Sequence, residues 1–229
     1  MAATTGDTML KMKLARLGLI SMLLCSNSPL LFAQKGMDQI NINGQFVIAA
    51  RAGRVERVAA LLAEGAKVNS RDRNGDSPLN MAAAKGNAVL VDVLLKAGAD
   101  GNLANLAGVS PLMGAAFNSS ADVVRQLVAA GAKIESVDRV KKNAATYAAA
   151  NGCTDCLAEL IRAGTQVNAK LENDLTLLMW AAAYGHESTV RLLLTHGAVR
   201  DMKDSRGKTA LEMARDANHA GVATLLAQL

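Results

Sequence analysis

The sequence predicts an all-α solenoid of six stacked helix-turn-helix units, and three observations carry that prediction. Glycines recur every 33 residues at Gly65, Gly98, Gly131, Gly164 and Gly197, with no insertion between them. A second series runs through Gly53, Gly86, Gly152 and Gly185, with Ser119 and Asn218 at the two remaining steps. Leucines keep the same step at Leu61, Leu94, Leu127, Leu160, Leu193 and Leu226. A fixed period of this length means that each unit is one supersecondary element, able to bury its apolar face only against its neighbours.

Residues 72–104 show the unit most regularly. The run Asp72-Arg73-Asn74-Gly75 has turn chemistry, with a glycine free to take positive φ. Ser77-Pro78 opens a helix: the hydroxyl caps it, and proline occupies the first position, where its missing N–H is not needed. The alanine-rich run to Lys85 predicts a thin helix ended by Gly86. Val91, Leu94 and Leu95 then form the apolar stripe of a second helix that stops at Gly98.

This order, Asp-x-x-Gly-x-Ser-Pro-Leu-Asn-x-Ala-Ala, then Gly, then Leu-Leu-x-x-Gly-Ala-x-x-Asn, resembles the ankyrin repeat. It departs from that consensus at Ser77 for Thr and Asn80 for His. Six such units, 39–71, 72–104, 105–137, 138–170, 171–203 and 204–229, cover more than four fifths of the chain. The resemblance implies short β-turn or hairpin loops, and partner binding through turn tips and first helices that line a concave side.

Residues 1–33 stand outside the period. Lys11, Lys13 and Arg16 precede the apolar run Leu17 to Leu24, followed by Ser26-Asn27-Ser28-Pro29 and Leu30 to Ala33. This order is that of a secretory signal peptide, cleaved after Ala33 and followed by a short leader at 34–38. The true start is Met1, Met9 or Met12. An uncleaved anchor would need about 20 uninterrupted apolar residues, and Ser26 to Pro29 breaks the run. A lipoprotein would need a small residue before Cys25, where Leu24 stands. The expected destination is a bacterial periplasm or the medium beyond it.

In the first unit, Gly44-Gln45-Phe46 replaces the Pro-Leu pair, and Arg51, Arg54, Glu56 and Arg57 supply the polar face of a terminal cap. The third unit keeps Ser110-Pro111-Leu112 but exchanges its glycine turn for Asn118-Ser119-Ser120. The fourth departs most, since Val140 to Ala145 lacks both turn glycine and Pro-Leu, and its turn is the one the sequence singles out as irregular. The fifth returns to the pattern with Thr176-Leu177-Leu178-Met179-Trp180. The sixth ends after Leu225-Leu226 as a closing cap would.

Composition narrows the function. Apolar residues make up 51% of the chain but aromatic residues only 3%, so the core is built from Ala, Leu and Val and no wide cofactor pocket is expected. The formal charge is +5, of which Lys11, Lys13 and Arg16 less Asp7 supply +2, leaving +3, too little to argue for nucleic acid. No catalytic triad, phosphate loop or convergent metal-ligand set is visible. Of His186, His196 and His219, two directly follow the inter-helix turn position, at His186 and His219, where the resemblance implies that they tie turn to helix by hydrogen bonds.

Cys153 and Cys156 open a second helix as Gly152-Cys153-Thr154-Asp155-Cys156. The spacing suits a redox pair at a helix start, yet Cys156 falls at the inward position of Leu90, Val123 and Thr189, and no thioredoxin-like βαβ surrounds it. Unpaired structural thiols, a candidate disulfide after export, and thiol chemistry all stay open.

By register, Phe117 and Tyr184 occupy binding positions that the fold does not require to be apolar. With Met113, Met179 and Leu175 nearby and Arg73, Arg139 and Lys142 around them, they form a candidate patch for another protein. Trp180 is read as core. The expectation is therefore a non-enzymatic, monomeric binding module of the bacterial envelope, without cofactor and without membrane contact beyond its signal peptide. The alternatives are a thiol-active envelope protein or a secreted effector that binds host proteins.

Overall fold

The computed structural model describes residues 41–228, so the expected signal peptide and leader lie outside the described residues. Within that range the chain is helical, without strands, and forms six helical pairs. The first pair is α1 (residues 41–51) and α2 (Val55–Ala63), the second α3 (Pro78–Ala84) and α4 (Ala88–Lys96), the third α5 (Pro111–Phe117) and α6 (Ala121–Ala129). Then come α7 (Ala144–Ala150) and α8 (Thr154–Arg162), α9 (Leu177–Ala183) and α10 (Glu187–Thr195), and α11 (Ala210–Asp216) and α12 (Ala220–Gln228).

Local chemistry sets these lengths. Ser77, Ser110, Asn143, Thr176 and Thr209 each accept a hydrogen bond from the N–H three residues on, which starts the seven-residue first helices. Each first helix ends in a residue of left-handed backbone. Gly86, Gly152 and Gly185 take it without strain, and Ser119 (φ 56°) and Asn218 (φ 61°) take it in their place elsewhere. The nine-residue second helices then run back alongside.

The core is a single layered stack. Ala82, Ala83, Ala115, Ala116, Ala148, Ala149, Ala181 and Ala182 are wholly buried, and their small side chains let successive short helices pack closely. Leu61, Leu94, Leu127, Leu160 and Leu193 are also wholly buried and fill the layer between short and long helices. Burying one such leucine contributes about 1.5–3 kcal/mol, so the repeated leucine is the main stabilising device of each unit. Phe46, wholly buried, takes in the first unit the place that Leu79, Leu112 and Leu178 hold in theirs.

Hydrogen bonds fasten unit to unit at the turns. The Asp100, Lys133 and Val199 N–H groups donate to the Asn69, Asn102 and Asn168 side chains at 3.0, 2.7 and 2.9 Å. At the tips, Leu106 N–H donates to Asn74 C=O, Arg139 N–H to Ala107 C=O, and Ser205 N–H to Asn173 C=O. These single rungs join the tips without forming strands among the described residues, so of the expected β-turn or hairpin loops the turn form is the one present.

The irregular tip is not the one the sequence singles out. In the fourth unit the turn survives: Asp138 accepts from the Val140 and Lys142 N–H groups at 2.9 Å, and Lys141 takes the glycine conformation at φ 58°. Asp72, Asn105 and Asp204 accept the equivalent pair of N–H groups in their own units. The fifth unit has Leu171 at this position, with no side-chain acceptor. Its turn instead winds into a 3-10 segment, Glu172–Asp174, with both Asn173 (φ 59°) and Asp174 (φ 57°) left-handed. The rung that would run from Glu172 N–H to Val140 C=O is not formed among the described residues.

Candidate functional site

The short helices and turn tips of the third to fifth units carry most of the chain's aromatic side chains. Phe117, the last residue of α5, is 62% exposed, and Tyr184, which follows α9, is 53% exposed. Two more rings join them. Phe117 meets Tyr147 of α7 edge to face at 5.9 Å, and Trp180 of α9 stacks on Tyr184 at 6.1 Å with His186 beyond at 6.4 Å. Lys142 links the two groups, its Nζ 4.6 Å from the centre of Trp180 and 5.8 Å from that of Tyr147.

Tyr147 is held in place by its hydroxyl, which donates to the buried Asp138 carboxylate at 2.5 Å. Burial first, and the carboxylate second, push its phenol well above the usual range, so the ring stays a neutral donor. Beside this run, a cleft of about 330 Å³ opens at the missing rung, lined in part by Arg139, Val140, Lys142, Glu172, Leu175 and Trp180.

The structure thus brings together Phe117, Tyr184, Leu175, Arg139 and Lys142, and adds Tyr147 and Trp180. It removes three residues from the patch expected by register. Met113 and Met179 are 1% exposed: each lies at the third position of its helix, where the thioether curls back toward the N–H of Ser110 or Thr176, at 3.5 and 3.4 Å. They pack the core. Arg73 lines a separate cleft with Gly44, Val47, Ile48 and Arg51, between the first two units. Trp180, read from sequence as core, is only partly buried and shows its face to the cleft. Its signal in the sequence is positional, since Tyr147 and Trp180 share the place held by Met81, Gly114 and Met213 in the other units.

His186 and His219 tie one unit to the previous one, donating from Nε2 to Ala150 C=O at 2.8 Å and to Ala183 C=O at 3.1 Å. His196 bonds within its own helix, to Leu192 C=O. Cys153 and Cys156 are joined as a disulfide at the start of α8, with their Cα atoms 5.3 Å apart. Cys153 is 8% exposed and Cys156 fully buried, so an attacking thiolate has almost no access to either sulfur. Among the described residues, no three His, Cys, Asp or Glu side chains converge to hold a metal ion.

The model of the family described as ankyrin repeats (three copies) matches residues 46–138 and again 145–229. The chain belongs to the ankyrin-repeat family. The break between the two matches falls on the fourth unit's divergent turn. Among solved structures, this ankyrin-repeat chain is similar to the human ASB11 ankyrin repeat domain, with a TM-score of 0.74 and 28% sequence identity over 80% of this chain and 82% of that one. No curated protein matches it. Ankyrin repeats are modules for protein-protein interaction, and the aromatic run lies on the short helices and turn tips of such an array.

Proposed function

We propose that this ankyrin-repeat protein is a non-enzymatic binder of the bacterial envelope, which holds, stabilises or scaffolds a partner protein against its short-helix face. The observation that carries the reading is the run Phe117, Tyr147, Lys142, Trp180 and Tyr184. Phe117 and Tyr184 are more than half exposed, and Tyr147 and Trp180, partly buried against the core, support them from beneath. Aromatic anchors amid polar residues are what dominate the energy of protein interfaces, and Asn118, Asn151, Arg139 and Glu172 supply such a rim. Export rests on the order of charged, apolar and small residues in 1–33.

A photo-crosslinking amino acid placed at Phe117 or Tyr184 in the full chain, expressed with its signal, tests this reading. One protein is expected to be captured at both positions, and none at Arg191 on the outer helix α10. Equal capture at all three positions, or retention of the protein in the cytoplasm, contradicts it.

A further inference from the structure

The cleft between the fourth and fifth tips has a chemistry that the rest of the short-helix face lacks. Asp72, Asn105, Asp138 and Asp204 each organise their turn through two backbone N–H groups, and Leu171 is the exception. Losing that acceptor rewinds the tip and removes the rung, which leaves Val140 C=O and Glu172 N–H without a hydrogen-bond partner among the described residues. Arg139, Lys141 and Lys142 line the opening, and Glu172 is the only carboxylate among the lining residues. The neighbouring carboxylates are engaged elsewhere, Asp174 near Lys170 at 3.8 Å and Asp138 with Tyr147. Lys142 Nζ is held over the Trp180 face, and Leu175 and Val140 complete an apolar wall.

We infer that this cleft recognises an extended acidic segment of the partner, in which an Asp or Glu stands next to a large aliphatic residue. The carboxylate lies between the Lys142 ammonium and the Arg139 guanidinium, where charge-assisted hydrogen bonds form. The aliphatic side chain lies on Trp180 and Leu175. The segment's backbone takes up the free Val140 C=O and Glu172 N–H, much as a peptide adds to an open edge. This inference rests on the proposed binding function and adds the chemistry of the partner.

Trp180 is the only tryptophan in the chain, so its emission reports on this cleft alone. A phage-displayed random-peptide library is panned on the full exported protein, and enriched peptides are synthesised and titrated while Trp180 fluorescence is followed. The expected peptides carry Asp or Glu beside Leu, Ile, Val or Met and shift the emission. Lys142→Glu weakens them by about tenfold or more, a change of about 1.4 kcal/mol, while Lys142→Arg retains them and both variants stay folded and melt cooperatively. Enriched peptides without acidic residues, an empty selection, or binding indifferent to Lys142→Glu overturns the inference. Peptides that ignore Lys142 but are lost in Phe117→Ala/Tyr184→Ala overturn it while leaving the broader binding role in place.

Discussion

His186 of the fifth unit occupies the space that a side chain on Gly152 of the fourth would need. A Cβ on Gly152 would stand 2.5 Å from His186 Nδ1, while the same ring is fixed by its bond to Ala150 C=O. Gly185 and His219 repeat the relationship one unit on, at 2.6 Å. At Gly152 and Gly185 the inter-helix glycine is therefore a packing requirement between units as well as a turn requirement within one.

Gly152→Ala is accordingly expected to cost more than Gly98→Ala. Both glycines have left-handed backbone, at φ 71° and 82°, but nothing lies within 4 Å of a Cβ on Gly98. Left-handed strain costs of order 1 kcal/mol at each site, and Gly152→Ala adds displacement of His186. Urea denaturation of the two variants checks this, and equal losses would remove the His186 contact from the account.

Much of this architecture is legible in the letters. The period, the capping residues and the inward place of Cys156 follow from register alone. Met113 and Met179 were not legible as core, because their burial depends on how a thioether folds back beneath its own helix cap. Lys141 hides the survival of the fourth turn, since a lysine gives no sign of left-handed backbone while Asp138 still supplies the organising carboxylate. Leu171 shows the reverse: one missing acceptor disturbs a unit whose helix residues look regular.

Restoring that acceptor is expected to stabilise the fifth turn. In Leu171→Asp/Asp174→Gly, the new carboxylate accepts two backbone N–H groups and the glycine relieves φ 57° at residue 174. Each backbone hydrogen bond of this kind is worth about 1 kcal/mol, so the midpoint of thermal unfolding should rise. A lower midpoint would show that Leu171 contributes more through packing than the turn loses.

Acid should weaken the outer helices at a defined point. Glu159 of α8 accepts from Arg125 Nε of α6 at 3.0 Å and from Arg162 at 2.5 Å. These bonds, Arg125 first, hold its carboxyl below its ordinary value of 4.5. A carboxylate with a depressed folded-state value stabilises above the unfolded value and loses that contribution as the pH falls through the folded one. The melting difference between the parent and Glu159→Gln should be present at neutral pH and close as the pH drops below 4.5. A difference of the same size in acid would contradict the ion-pair origin.

Alkylation of the exported protein under native conditions, followed by intact mass, checks the Cys153–Cys156 bond. An unlabelled chain two protons lighter than the dithiol is expected. Two labelled cysteines would contradict it. A loop this short restrains the unfolded chain by about 2 kcal/mol in the entropic treatment, so Cys153→Ser/Cys156→Ser should lower stability by that order and leave partner capture intact.

Phe117→Ala/Tyr184→Ala tests the division between core and surface. Both side chains are more than half exposed and each loses only its contact with neighbouring rings, so truncating them should lower stability by about 1 kcal/mol each at most. The most direct measurement is the dissociation constant of the crosslinked partner, once purified, for the parent chain and for this variant. A loss of about tenfold or more, equivalent to about 1.4 kcal/mol, in a variant that stays folded and still melts cooperatively is the predicted result. Equal affinity for both chains would contradict the aromatic face as the binding surface.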